Sequence, residues 1–235
     1  MHRQSSRLPS LGGSLGRSSN RPRSILCRGR CRGVDSVKVR GVVIAAGESS
    51  RFGAAKALLQ LQGRTVLERV TAALADGGCE ELFVVCGGSH RQVVEQEANR
   101  IGIRSIVNQD PSDGPVSSIR VAIQSAGEWD AILIQPVDVV GVQATDVSHL
   151  IEAFRNSCGD FDAWVISHQM RRGHPLLLTR KVVGRLLEED PPAHLRALLA
   201  LDDVRIQHVD SDNPLVLEDV DNPNDWERIS PLLRN

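Results

Sequence analysis

The chain has 235 residues, 41% of them apolar and 24% charged, with a formal net charge of −1; that is enough for one large domain with a sizeable core. Aromatic residues make up 3% and tyrosine is absent, which argues against a base-stacking platform for single-stranded nucleic acid. No apolar run approaches the ~20 residues of a membrane span.

The small net charge hides an asymmetry. Residues 1–40 hold ten Lys/Arg against one acid, Asp35, leaving 18 basic and 28 acidic residues in the rest. So acidic a body argues against a broad nucleic-acid-binding face. Residues 1–38 are rich in Ser, Arg and Gly and lack apolar periodicity, so a disordered basic arm is expected there. Arg and Ser without acids also suit a transit segment, and a start codon placed too far upstream is a third reading. A secretory signal would need an apolar stretch that is missing. Five cysteines are scattered, and Cys27 and Cys31 have no second Cys/His pair at zinc spacing. A cytoplasmic protein is the expectation.

From residue 39 the texture changes. In chain order, strands are expected at 39–46, 82–87, 104–107, 131–135, 162–167, 175–179 and 204–209. Helices are expected at 65–76, 90–101, 115–126, 145–157, 181–189, 192–201 and 223–233. Apolar strands separated by amphipathic helices imply a mostly parallel sheet covered on both faces, a three-layer α/β/α fold. Ligands in such sheets bind beyond the carboxyl ends of the strands. Gly47, Gly87, Asn108 and Pro136 each follow one of the first four sheet strands, so their turns should line one crevice.

The turn after the first strand reads Ala45-Ala46-Gly47-Glu48-Ser49-Ser50-Arg51-Phe52-Gly53. Small residues allow a tight turn and close backbone approach, and successive N–H groups in such a loop suit an anion. Ser49 adds a hydroxyl, Arg51 a fork matched to phosphate oxygens, and Lys56 a point charge. The loop has neither G-x-G-x-x-G nor G-x-x-x-x-G-K-[ST].

The pattern A-A-G-x-S-x-R-F-G-x-x-K-x-L-L resembles the signature of the MobA-like NTP transferases, which include molybdenum cofactor cytidylyltransferases and guanylyltransferases. Four later stretches are similar to family segments in order and spacing: NQDPSDGPVSSIRVAI (108–123), ILIQPVDVV (132–140), RGHPLLL (172–178) and EDVDNPNDWERI (218–229). The resemblance covers about residues 39–233 and implies a Rossmann-like nucleotidyltransferase fold. It also implies an enzyme that joins an NMP, from CTP foremost or GTP, to a phosphorylated acceptor such as molybdopterin, with release of pyrophosphate. A molybdoenzyme is the partner this implies.

Carried over residue by residue, Ala45, Ala46, Gly47, Ser49, Arg51 and Gly53 would hold the phosphates. Lys56 would neutralise charge at the α-phosphate, making Lys56, Arg51 and Asp138 the catalytic set. Mg²⁺ would bind Asp138 and Asp221, with Asp219 as the alternative to Asp221. Gly87, Asn108 and Gly114 would face the nucleotide; Ser117, Ser118 and His174 would face the acceptor. Two departures bear on the acceptor. The metal strand reads Pro136-Val137-Asp138 where cytidylyltransferases commonly read Asp-Met-Pro, and the segment 108–114 lacks an aromatic residue.

Overall fold

The computed structural model describes residues 37–49, 52–125 and 127–234. The basic arm therefore lies outside the described residues, apart from Val37 and Lys38, and so does Arg51. The chain runs β1 (Val39–Ala45), β2 (Gln60–Leu61), β3 (Arg64–Thr65), α1 (Val66–Asp76), β4 (Glu81–Gly87), α2 (Arg91–Arg100), β5 (Arg104–Asn108), α3 (Pro115–Gln124) and β6 (Ala131–Pro136). It continues through α4 (Ala144–Asn156), β7 (Ala163–His168), β8 (Arg171–Thr179), α5 (Arg180–Val183), α6 (Leu195–Leu199), β9 (Ile206–Asp210) and α7 (Pro223–Ile229).

Seven strands form one sheet in the order β5-β4-β1-β6-β8-β7-β9. β1 pairs in parallel with both β4 and β6. Only β8 runs against its neighbours, so the sheet is mostly parallel. The period of two sorts the strand side chains between two cores. Val43, Val84, Cys86 and Leu133 pack with Leu67, Leu74, Val94, Leu150 and Ile229, from α1, α2, α4 and α7. Val42, Phe83, Val85, Ile132 and Ile134 pack with Ile119, Val182 and Leu198, from α3, α5 and α6. The sheet is thus sandwiched, as the apolar runs imply. Each fully buried Leu, Ile or Phe contributes about 1.5–3 kcal/mol of transfer free energy.

Chain order places the crevice. From β1 the chain moves outward through β4 to β5, then returns to the other flank of β1 at β6. The chain thus reverses direction across β1, and in such sheets ligands bind beyond the carboxyl ends of the strands at the switch point. At the opposite end of β1, Arg40 is fully buried although it follows the basic arm. Its guanidinium donates to Glu81 Oε2 from Nε (3.0 Å) and Nη2 (2.8 Å). It also stacks on Phe83 at 4.7 Å. Nη1 also donates to Ser125 Oγ at 3.1 Å, so several groups share the buried guanidinium.

Several elements differ from expectation, among them the helices expected at 192–201 and 223–233, which are Leu195–Leu199 and Pro223–Ile229. The helix expected at 181–189 is a short α5 continued by a 3₁₀ turn at Gly184–Leu187. The strand expected at 175–179 begins at Arg171, because it forms a hairpin with β7 across Gln169 and Met170, at φ 50° and 63°. Two-residue hairpin turns demand positive φ at both positions. Gln-Met carries no sign of that, whereas Asn-Gly would have. The short β2–β3 ribbon was not expected either.

Candidate active site

The phosphate-type loop leaves β1 at Ala46 and closes a turn in which Ser49 O accepts from Phe52 N (2.9 Å) and Gly53 N (3.0 Å). The conformational demand falls on Ser49 at φ 47° and Gly53 at φ 74°. Gly47 avoids the left-handed region, and a Cβ there would meet nothing within 4 Å. Its small size keeps open the space into which a ligand would come, whereas the turn itself is made two residues later. A left-handed non-glycine residue is costly and gathers at ligand sites.

Lys56 follows at the start of a 3₁₀ turn. Its ammonium donates to Asp138 Oδ2 at 3.3 Å and to Asp221 Oδ1 at 2.9 Å. Three segments separated by 82 and 83 residues thus meet at one nitrogen. The lysine side chain is 11% exposed and Asp138 and Asp221 are 31% and 41% exposed, so the cluster is reachable from solvent.

Each carboxylate is held by backbone. β6 is tied to β1 beyond the ladder, Val137 N donating to Ile44 O at 3.0 Å. Fully buried Gln135 then donates Nε2 to Pro136 O and Val139 O, both at 2.9 Å, bracing the turn that presents Asp138. Val220 N donates to Asp138 O at 2.9 Å and brings the last segment alongside. Asp221 sits just before α7, whose start is a reciprocal capping box between Asn222 and Asp225, and Asp225 Oδ2 also accepts from Asp221 N at 3.0 Å.

Asp219 is close enough to feel both partners. Desolvation, then the charges of Asp138 and Asp221, push its carboxyl above the usual range. Among the described residues, Asp138 and Asp221 converge on the Lys56 ammonium, and paired carboxylate oxygens suit a hard divalent cation. No cluster of three or more His, Cys, Asp or Glu side chains arranged to hold a metal occurs among the described residues.

A cavity of about 330 Å³ adjoins the cluster. Ala45, Ala46, Gly47, Ser49, Lys56, Gly114, Ser118, Asp138 and His174 all line it. Gly53, Gly87, Asn108 and Ser117 do not. Gly53 lies on an exposed turn and Gly87 is buried at the end of β4. The Asn108 amide donates to Ser117 Oγ at 2.8 Å and Ser118 Oγ at 3.1 Å, and Asn108 Oδ1 accepts from Asp110 N at 3.0 Å. Asn108 therefore positions the start of α3, while Ser117 Oγ donates to Gly114 O at 2.8 Å.

His174 Nδ1 is buried and has no hydrogen-bond partner among the described residues. Burial pushes the imidazole down against the opposing charge of Asp138, so the ring enters the crevice neutral at physiological pH. His90 and Val94 also line the wall. Neither carries a motif, and neither they nor Gln135 stand out in the sequence.

The profile of the MobA-like NTP transferase domain matches residues 41–210. The chain belongs to the MobA-like NTP transferase family. Among relatives, nicotine blue oxidoreductase of Paenarthrobacter nicotinovorans is 31% identical over 198 residues, 81% of this chain and 96% of that protein. The molybdenum cofactor cytidylyltransferase of Escherichia coli (strain K12) is 24% identical, over 79% of this chain and 92% of its own length. A solved homolog of Rv0371c from Mycobacterium sp. strain JC1 superposes with a TM-score of 0.71 at 27% identity, over 83% of this chain and 96% of that one. This MobA-like chain is a nucleotidyltransferase by family. Asp221 lies beyond the matched span, yet the fold returns it to the lysine at the centre of the crevice.

Proposed function

We propose that the enzyme transfers an NMP from an NTP, with CTP favoured and GTP second, to a small phosphorylated acceptor such as molybdopterin, releasing pyrophosphate. The observation that carries this reading is the single ammonium of Lys56 shared by Asp138 and Asp221 beside the loop that follows β1. Transfer at an α-phosphorus asks for positioning and charge neutralisation more than for covalent help.

In this reading Ala45, Ala46, Gly47 and Ser49 cradle the β- and γ-phosphates, joined by Arg51. Lys56 moves its charge toward the α-phosphate and the leaving pyrophosphate. Asp138 and Asp221 would hold Mg²⁺, which when bound neutralises phosphate oxygens. Ser118 and neutral His174 face the acceptor, whose phosphate is already ionised and asks for no general base. The oxidoreductase name of the 31% identical relative gives this lysine–carboxylate cluster no task, whereas a triphosphate does. We assign transfer to residues 39–235, so removal of residues 1–37 should leave turnover unchanged.

The test is pyrophosphate release from CTP, GTP, ATP or UTP with Mg²⁺ and molybdopterin. Turnover with CTP or GTP is expected. Nucleotide binding without release in every combination would overturn the transferase reading and leave a nucleotide-binding module.

A further inference from the structure

Glu48 is an odd residue for an anion loop. A carboxylate beside a triphosphate is repelled by it, and the side chain swings away. Glu48 Oε2 accepts from Ser89 Oγ at 2.9 Å. That bond crosses from the loop after β1 to the turn after β4. Beneath it lies Gly88, at φ 62°, where an added Cβ would collide with Glu48 Oε1. The carboxylate is thus packed over a glycine and pinned by a hydroxyl, and Oε1 has no hydrogen bond to any described residue.

Glu48 lines a second cavity of about 440 Å³, bounded by the ends of β1, β4 and β5. Ala46, Gly47 and Pro111 line both this cavity and the one beside Lys56. The two are therefore arms of one crevice that meet at the phosphate loop. A nucleotide whose phosphates run toward Lys56 would carry its base into the second arm. Arg91 and Gln109 also line that arm, but two of its neighbouring polar groups are already engaged. The Asn108 amide is committed to Ser117, Ser118 and Asp110. Asp110 Oδ1, on the same turn, accepts from Ser112 N and Ser112 Oγ.

We infer that Glu48 reads the base, accepting a hydrogen bond from an exocyclic amino group, and that Ser89 is the residue that positions it. A carboxylate has acceptors only. It matches the amino group of cytosine or guanine and opposes a carbonyl oxygen in the same place. The inference rests on the nucleotide reading of the crevice and adds to it the feature that decides which base enters.

The experiment uses nucleotide pairs that differ at the amino group, CTP against UTP and GTP against ITP. Each is bound to the full-length chain with Mg²⁺ and followed by calorimetry. At least one amino-bearing member should bind about tenfold or more tighter than its twin, since the exposed Glu48 carboxylate, once covered by a base that lacks the amino group, would be left unpaired. The pair that shows the gap identifies cytosine or guanine. In Glu48→Gln the amide can also donate, so the ratio should fall toward one. Ser89→Ala should lower the ratio part of the way while leaving the fold intact. Binding without discrimination, or a ratio unchanged in Glu48→Gln, overturns the role of Glu48 alone. Failure of all four nucleotides to bind overturns the nucleotide reading itself.

Discussion

Asp138 makes two kinds of contact. Its side chain meets Lys56, and its carbonyl accepts from Val220 N. Replacing the carboxylate by an amide keeps the shape and removes the charge. Asp138→Asn should therefore fold normally, and its turnover should lose the dependence on Mg²⁺ concentration that the wild type shows, which a metal titration of pyrophosphate release would measure. A second residue-scale effect lies outside the crevice. Arg100 first, and then the Thr65 hydroxyl, hold the Glu97 carboxyl below the usual range. Thr65 Oγ1 donates to it at 2.6 Å and Arg100 Nε at 2.8 Å. Because its folded pKa lies below the unfolded one, Glu97 adds stability above the unfolded value. That contribution is lost as pH falls through the folded value. With Arg100 more than half exposed, screening keeps the effect small. Glu97→Gln should cost about 1 kcal/mol near neutral pH, and thermal unfolding should show the gap closing below the folded pKa. Lys56, Asp138 and the small residues of the loop were legible in the sequence because each sits in a short motif next to a strand end. Gln135 and Glu48 were not. Their roles rest on partners across a turn or on another loop, and a glutamine or glutamate in isolation has no spacing to read.

At the scale of elements, α7 does more than close the chain. Its capping box fixes the backbone on which Asp221 stands. Loss of an N-cap side chain costs about 1 kcal/mol. Asn222→Ala should lower stability by that amount and also weaken Mg²⁺ affinity several-fold, since the loss reaches Asp221. Calorimetric metal titration beside thermal unfolding would detect both; a stability loss with unchanged metal affinity would argue against Asp221 as a ligand. All seven strands of the main sheet were legible because they are runs of Val, Ile and Leu between turns. The β2–β3 ribbon was not, since two-residue strands leave no period. The hairpin of β7 and β8 was hidden by Gln169 and Met170, which adopt left-handed backbone without the usual residues. The loop after β1 was placed correctly, but its turn was assigned to Gly47 when Ser49 and Gly53 make it.

For the whole molecule, the sheet order explains why one short loop can be the phosphate end of a larger device. β1 lies between β4 and β6, at the point where the strand order reverses, and the segment before α7 returns Asp221 to its carboxyl end. The central claim is that Lys56 serves the transferred phosphate rather than only neutralising two carboxylates. Lys56→Ala separates these roles. Pyrophosphate release by this variant, measured with saturating CTP and Mg²⁺ beside a thermal unfolding curve, should fall by about 10²–10³-fold while the chain stays folded. Turnover within a few-fold of the wild type would contradict the account.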